Sequence, residues 1–549
     1  MAASADSTAT RAVPHVDLVV VGAGISGLYM IHRALQRGWS VVAFETGSGV
    51  GGTWYWNRYP GCRVDIEGFE YSYSFSEELQ QEWTWSERYP PQAELERYLN
   101  HVADRFGLRP HIRFDTRITA AHFDDLSQRW TIATHTGEHV SARLLVMATG
   151  LYSDPYRPDF EGIDDFQGVQ LQSSRWPGEP PDLTGKRVGI IGTGASGVQL
   201  TPILARQAQR LTVFQRTASY TLPLQNHPAD PEVTRARKAN YAALREAQRV
   251  SLAGFTTVHS KPVPPASRSA LEVSEEERRR VYEEHWASGG LCFYHAFTDL
   301  LTDEQANRTL EVFMKEKIRS RVKNAEVARK LTPIVNPVLT KRLAGDTGYC
   351  EAFDRDNVEL VDLRAEPIRR FTRTGLKVGE REVPLDVIIF ATGFDLSTGA
   401  MSRIDIRGRG GRSLKEHWAQ GIRTYLGLMS HGYPNLFWLF GPGCPFYNPV
   451  LLAQYQAELI ERFLDGGSKP DALVEATQAA EDEWSGLTNA IADMTLFTRG
   501  NNYYMGDNIP GKPRAVSVFL GGFPLYCEHC EKAATARYGL VSESTQVAA

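Results

Sequence analysis

With 549 residues the chain exceeds the size at which one hydrophobic core stops growing, so two or three domains are expected. A hydrophobic share of 42%, a charged share of 23% and 47 glycines describe an ordinary globular protein and exclude collagenous, disordered and membrane-type compositions. The formal net charge of -5 supplies no broad basic field, which argues against nucleic acid or an anionic membrane surface as partner.

The first fifteen residues lack the apolar stretch of a secretory signal, and no later apolar run approaches the roughly 18 residues of a membrane span. A cytoplasmic protein is expected. Six scattered cysteines form no disulfide framework and fit a reducing compartment. Cys527-x-x-Cys530 lacks the second pair or the histidines of a zinc site, so it reads as two incidental thiols and no metal is expected.

An apolar run from Asp17 to Val21 meets Gly22-x-Gly24-x-x-Gly27, and a helical pattern through Leu28, Ile31 and Leu35 then stops at Gly38. A second run, Val41 to Phe44, ends on Glu45 and closes a βαβ unit. The order repeats at Val188 to Ile191, Gly192-x-Gly194-x-x-Gly197, and Leu211 to Phe214 ending at Gln215 and Arg216. Arg143 to Met147 and Asp386 to Phe390 read as strands that both close on Ala-Thr-Gly, so the chain returns to each sheet. The expected fold class is therefore α/β, with two Rossmann-like dinucleotide-binding domains, the second inserted in the first. Residues 225–330, charged and helical in pattern, form a helical insertion with capping boxes at Ser274-x-x-Glu277 and Thr302-x-x-Gln305. The divisions run 1–150 and 393–549 for the first domain, 151–224 and 331–392 for the second.

The two turns differ in what they can hold. In each, the first glycine permits the bend, the second lets the backbone approach a pyrophosphate, and the third lets helix pack on strand. Glu45 stands 23 positions after Gly22 and can accept from ribose hydroxyls, while its charge repels a ribose 2′-phosphate. FAD or NAD fits there. The same spacing from Gly192 reaches Gln215, followed by Arg216 and Thr217. A guanidinium beside a hydroxyl matches a 2′-phosphate, so the second turn reads as an NADPH seat. FAD and NADPH on one chain imply hydride transfer from nicotinamide to flavin.

Two longer stretches carry a family resemblance. Gly52-Thr-Trp54-Tyr-Trp-Asn-Arg-Tyr59-Pro60-Gly61-Cys-Arg-Val-Asp65 resembles the first motif of type I Baeyer-Villiger monooxygenases, and Phe166-x-Gly168-x-x-x-Gln172-x-x-x-Trp176-Pro177 resembles their second. The likeness runs from about residue 15 to 535. It implies that NADPH reduces FAD, that O2 adds to the flavin, and that the resulting peroxide attacks a ketone to give an ester or lactone. Such chemistry needs a fixed positive charge that does not give away a proton, which arginine supplies best. By resemblance Arg342, in Leu339-Thr-Lys-Arg-Leu, is the catalytic arginine and Asp65 orients it. Lys341 then joins Arg216 and Thr217 around the 2′-phosphate, while Gly52 and Trp54 belong to the FAD seat. Read alone, a Lys-Arg pair is more often solvated, and Asp65 and Trp54 pass for a turn acid and a core aromatic.

Three positions depart from the family pattern. Gln172 replaces a histidine in a segment expected to link the two domains, and glutamine cannot carry a proton. Leu343 replaces a proline after Arg342, which is expected to loosen that loop. Tyr503 replaces a tryptophan in a loop that the resemblance places over the nicotinamide. The substrate leaves no motif, although Cys444, Phe446 and Tyr447 are candidate lining residues and the wording leans to bulky cyclic or polycyclic ketones.

The nearest rival is a flavin monooxygenase acting on amine or sulfide heteroatoms, and the Trp54 to Asp65 stretch argues against it. A disulfide reductase would need a cysteine pair near the first turn, where Cys62 stands alone. A flavin-binding sensor without turnover is opposed by Arg342 and Asp65. Besides the ketone and O2 no further partner is expected, and the chain is expected to be a monomer or weak homo-oligomer.

Overall fold

The computed structural model describes residues 13–258, 261–262, 266–467 and 472–543. The β-branched run Val19-Val20-Val21 lies inside the strand His15–Val21, which is flanked in parallel by Val41–Phe44 and His139–Met147. Seven strands follow one another in this sheet, in the order Asp405–Arg407, Ile118–Asp124, Arg129–Thr134, His139–Met147, His15–Val21, Val41–Phe44 and Ile112–Arg113. Leu436–Trp438 also pairs in parallel with His139–Met147. A second sheet, parallel throughout, runs Val358–Asp362, Arg210–Gln215, Arg187–Ile191, Val387–Phe390 and Val169–Gln172.

Every strand of the second sheet lies between two stretches of the first, which makes the second Rossmann-like unit an insertion. The two crossings lie side by side, with Tyr156 N–H donating to Gly393 O at 2.9 Å and Asp395 N–H to Asp154 O at 2.8 Å. Relative motion of the two units must therefore deform both crossings together.

The 225–330 region is largely helical, as expected, and also holds the short pairing of Thr257–Val258 with Lys261–Pro262. Ser274 caps its helix by accepting from Glu277 N–H at 3.2 Å. The second expected capping box is off by one residue. Asp303, not Thr302, accepts from Gln305 and Ala306 N–H at 2.7 and 3.0 Å, because a carboxylate is the better partner for a helix N-terminus.

A buried ion cluster fixes this helical region to the first unit. Arg88 Nε donates to Glu67 Oε1 at 2.7 Å, Arg237 donates to Glu67 Oε2 at 2.5 Å, and Arg88 Nη1 also reaches Ser288 O at 3.0 Å. No helix among the described residues is long and apolar enough to cross a membrane.

Candidate active site

A cavity of about 1210 Å³ runs between the two Gly-rich turns. Gly22, Gly24, Glu45, Gly52, Trp54, Asp65, Gly192, Gly194, Arg216, Thr217, Lys341, Arg342 and Tyr503 all line it. Gly27 and Gly197 do not, for the reason their position implies. A Cβ on Gly27 would stand 1.9 Å from Gly22 O, and one on Gly197 would stand 2.2 Å from Gly192 O, so both serve helix-on-strand packing.

The turn glycines divide the remaining work. Gly22 and Gly192 have φ of 108° and 113°, and a Cβ on either would collide with the carbonyl of Ala148 or Ala391. Gly24 and Gly194 are the N-caps of the helices Ile25–Gln36 and Ala195–Gln207, with no side chain to cap them. The first-turn N–H groups and the positive end of each helix dipole thus face the cavity, an arrangement that holds anions. A Cβ on Gly194 would meet nothing within 4 Å, so the cavity is open where a pyrophosphate would approach. The residues present fit two dinucleotides.

Glu45 is buried, with Oε2 accepting from Ala23 N–H at 2.9 Å and Oε1 from Gly47 N–H at 2.8 Å. Burial raises its pKa, and the backbone N–H groups of Ala23, Gly47 and Thr46 oppose that rise. At the matching place in the second unit, Gln215 turns away from the cavity and donates to Lys330 O at 2.7 Å. An ionised acid could not make that bond. Arg216 and Thr217 are left to face the cavity, with Thr217 O anchored by Thr193 Oγ1 at 2.8 Å. Lys341 joins them. Burial and the neighbouring Arg216 push its ammonium down to about 8, while Asp507 pulls the other way.

Arg342 and Asp65, 277 positions apart, form a two-pronged ion pair in which Arg342 Nε donates to Asp65 Oδ2 at 2.6 Å and Arg342 Nη2 to Asp65 Oδ1. Burial works against the guanidinium charge, but the Asp65 carboxylate outweighs it and holds its pKa well above the ordinary arginine range. Tyr71, Tyr294 and Tyr503 also surround this arginine, and burial raises their pKa as well, so all three keep their protons. Trp54 packs edge-on to Tyr71 and donates to its hydroxyl at 3.2 Å.

Each departure from the family pattern has a definite place. Gln172 ends the edge strand of the second sheet instead of lying in a free linker, because its backbone pairs with Phe390. Its Nε2 donates to Tyr156 O at 3.4 Å, and it does not line the cavity. Leu343 is buried and leads directly into the strand Ala344–Asp346, so this large apolar residue packs its segment rather than loosening it. Tyr503 packs against Tyr504 with the rings tilted by 43° and their centroids 4.4 Å apart.

Cys444, Phe446 and Tyr447 all line the cavity, along with Ala253 and Phe255. The Tyr447 ring lies 3.9 Å from Phe523 and its hydroxyl donates to Gln248 O at 2.6 Å, which fixes it. All six cysteines are free. Cys62 is buried and pushed up to about 12, unlike a redox thiol, and no metal-holding cluster of side chains occurs among the described residues.

Two contacts between the units escaped sequence reasoning. Tyr59 donates to Gln199 Oε1 at 2.8 Å, and Gln199 Nε2 donates to Arg63 O at 3.2 Å. Gly61, with φ of 84°, allows this approach, since a Cβ there would stand 2.6 Å from Gln199 O. Only Gly61, quoted within the first motif, hinted at the contact.

Residues 16–233 match the family model described as flavin-binding monooxygenase-like. A Baeyer-Villiger monooxygenase of Pseudooceanicola batsensis (strain ATCC BAA-863 / DSM 15984 / KCTC 12145 / HTCC2597) is 41% identical, over 93% of this chain and 93% of its own. Phenazine N-monooxygenase PhzNO1 of Lysobacter antibioticus is 38% identical, over 95% of this chain and 96% of its own. The solved structure of an oxidized steroid monooxygenase bound to NADP is 47% identical, covers 97% of this chain and all of its own, and superposes with a TM-score of 0.91. With the likenesses to the Baeyer-Villiger monooxygenase and the steroid monooxygenase spanning nearly the whole chain, and with the Arg342–Asp65 pair set between two dinucleotide turns, the protein belongs to the Baeyer-Villiger monooxygenases.

Proposed function

We propose that this protein uses NADPH, FAD and O2 to insert one oxygen atom beside the carbonyl of a ketone, releasing an ester or lactone and water. The observation that carries this reading is the Arg342–Asp65 pair in the same cavity as both turns. Bound FAD supplies the acceptor for the nicotinamide hydride and then the reductant for O2.

This chain's own residues bind, orient and stabilise. Gly22, Gly24, Glu45, Gly52 and Trp54 are assigned to FAD, and Gly192, Gly194, Arg216, Thr217, Lys341 and Tyr503 to NADPH. Arg342 keeps a positive charge beside the reacting carbonyl as its oxygen gains negative charge, and it gives up no proton. Asp65 holds the guanidinium through both prongs, so its orientation is set before substrate arrives. The surrounding phenols exclude water without adding a negative charge.

The domain divisions at 150, 224, 330 and 392 belong to the same reading, as do a cytoplasmic location, which suits six free cysteines, and a monomeric or weakly self-associating state. For substrate we favour a bulky cyclic or polycyclic ketone, supported by the likeness to a steroid monooxygenase and by the apolar lining of Ala253, Phe255, Leu291 and Phe446. A second reading, oxidation of a ring nitrogen, is favoured by the likeness to a phenazine N-monooxygenase.

One experiment separates them. Purified enzyme is given NADPH and a panel of linear, cyclic and polycyclic ketones, amines, sulfides and aromatic N-heterocycles, and products are identified by mass and connectivity. Esters or lactones carry the first reading; N-oxides or S-oxides with untouched ketones overturn it.

A further inference from the structure

The segment that carries Lys341 and Arg342 meets the loop that carries Tyr503 at two places, the Arg342 backbone N–H on the Tyr503 phenol and the side chain of Asn336. Asn336 Oδ1 accepts from Asn501 N–H at 2.7 Å, and Asn336, Asn501, Asn502 and Tyr503 all line the cavity. The Tyr503 loop is already tied into a unit of its own. Asn502 N–H donates to Asp507 Oδ2 at 2.9 Å, and Arg514 bonds Asp507 while its Nη2 donates to Thr498 O and Gly500 O at 2.8 and 2.9 Å. Internal tying fixes the loop's shape; Asn336, beside the Arg342 N–H that holds the Tyr503 phenol, sets where the 500–502 backbone sits relative to Lys341 and Arg342.

Gly500 makes this contact compatible with close approach. Its φ of -106° and ψ of 175° are ordinary extended values that any residue adopts, yet a Cβ there would stand 2.6 Å from Asn336 Oδ1. Backbone strain therefore does not require this glycine. The space taken by the Asn336 amide does.

We propose that Asn336 is a positioning residue for the nicotinamide coenzyme, holding the 500–503 stretch against the 336–342 segment so that Tyr503 covers the nucleotide and NADP stays bound after hydride transfer. The inference rests on the reading that this cavity takes NADPH. Its consequence is a split between steps: hydride transfer needs only arrival of NADPH, whereas retention needs the latch.

The test uses holoenzyme with FAD bound and compares wild type with Asn336→Leu and Gly500→Ala. Four quantities are read: the rate of flavin reduction by NADPH, the rate of NADP release in a displacement experiment, hydrogen peroxide formed per NADPH, and trypsin cleavage after the exposed Arg499 with and without NADP. Both variants are expected to release NADP faster by about fivefold, the scale of one hydrogen bond, with flavin reduction nearly unchanged. Hydrogen peroxide per NADPH rises, and protection of Arg499 by NADP is lost.

Adding Gly500→Ala to Asn336→Ala is expected to change nothing further, because the methyl then occupies the space the amide has left. Should Asn336→Leu fail to fold, Gly500→Ala carries the test. Wild-type release and coupling in both variants, or an equal slowing of reduction and release, overturns the latch. Wild-type enzyme that fails to oxidise NADPH overturns the coenzyme reading and the latch with it, whereas normal wild-type oxidation with unaltered variants overturns the latch alone.

Discussion

Arg342 and Asp65 face each other through two parallel hydrogen bonds across 277 positions of sequence. A planar guanidinium held by a planar carboxylate is oriented as well as charged. Arg342→Ala is expected to leave flavin reduction by NADPH within about twofold and to lower ester formation on the order of 10²–10³-fold, the scale of losing one preorganised charge at a developing oxyanion. Arg342→Lys should not rescue, since an ammonium cannot keep both prongs on Asp65. Asp65→Ala should follow the same pattern more weakly. Stopped-flow reduction and product analysis check all three, and a block at reduction would remove Arg342 from the oxygen step.

Lys341 makes coenzyme affinity depend on pH. Burial and Arg216 push its ammonium down to about 8 in the free protein, and a phosphate dianion binds the protonated form. The sign follows. NADPH affinity should be flat below about pH 8 and weaken above it, by as much as about tenfold per pH unit. Arg216→Ala removes a like charge, so overall affinity should fall while the pH of weakening moves upward. NADPH titrations from pH 6 to 10 on both proteins measure the two effects, and NADH, which lacks the 2′-phosphate, should show neither.

The turns were legible because backbone geometry restricts the choice of residue at Gly22, Gly27, Gly192 and Gly197. Glu45 and Arg216 were legible through charge alone. Arg342 and Asp65 came only through the family wording, since no local pattern joins residues so far apart. Gln199 and Asn336 were invisible for a different reason: an amide has no preferred partner until the fold supplies one. The absence of an acid at Gln215 was read as an opening for phosphate, but its bond to Lys330 O was not foreseen. The expectation for Thr302 slipped one position to Asp303 because a helix start carries several usable caps in a row.

Gly194 and Gly27 are each part of a Gly-x-Gly-x-x-Gly turn, yet alanine should act at different levels. A methyl on Gly194 meets nothing within 4 Å and stands in the space assigned to the pyrophosphate. Gly194→Ala is therefore expected to fold normally, purify yellow, and raise KM for NADPH by about tenfold or more, ~1.4 kcal/mol. A methyl on Gly27 would stand 1.9 Å from Gly22 O, so Gly27→Ala should lose FAD and yield little folded protein. Flavin content, thermal melting and NADPH kinetics distinguish them. Flavin loss in Gly194→Ala would contradict the division of the two seats.

Arg88 and Glu67 are nearly inaccessible to solvent, and Arg88 also holds the carbonyl of Ser288 at the end of the helix Glu275–Ser288. Removing Arg88 leaves the buried Glu67 carboxylate with Arg237 in place of two guanidinium groups, so Arg88→Met should cost ~3 kcal/mol, the low end for breaking a buried pair. The loss should be local in its first effects, with faster hydrogen exchange in the helices Pro231–Ala239 and Glu275–Ser288, where Arg237 and Ser288 reach the cluster. Changing Glu67 to Met as well removes the carboxylate that Arg237 still holds and leaves Arg237 facing an apolar group, so only part of the stability should return. Urea unfolding of the FAD-loaded enzyme with exchange read by mass spectrometry measures both. Uniform exchange across the chain in Arg88→Met would mean that the cluster does not fasten the helical insertion specifically.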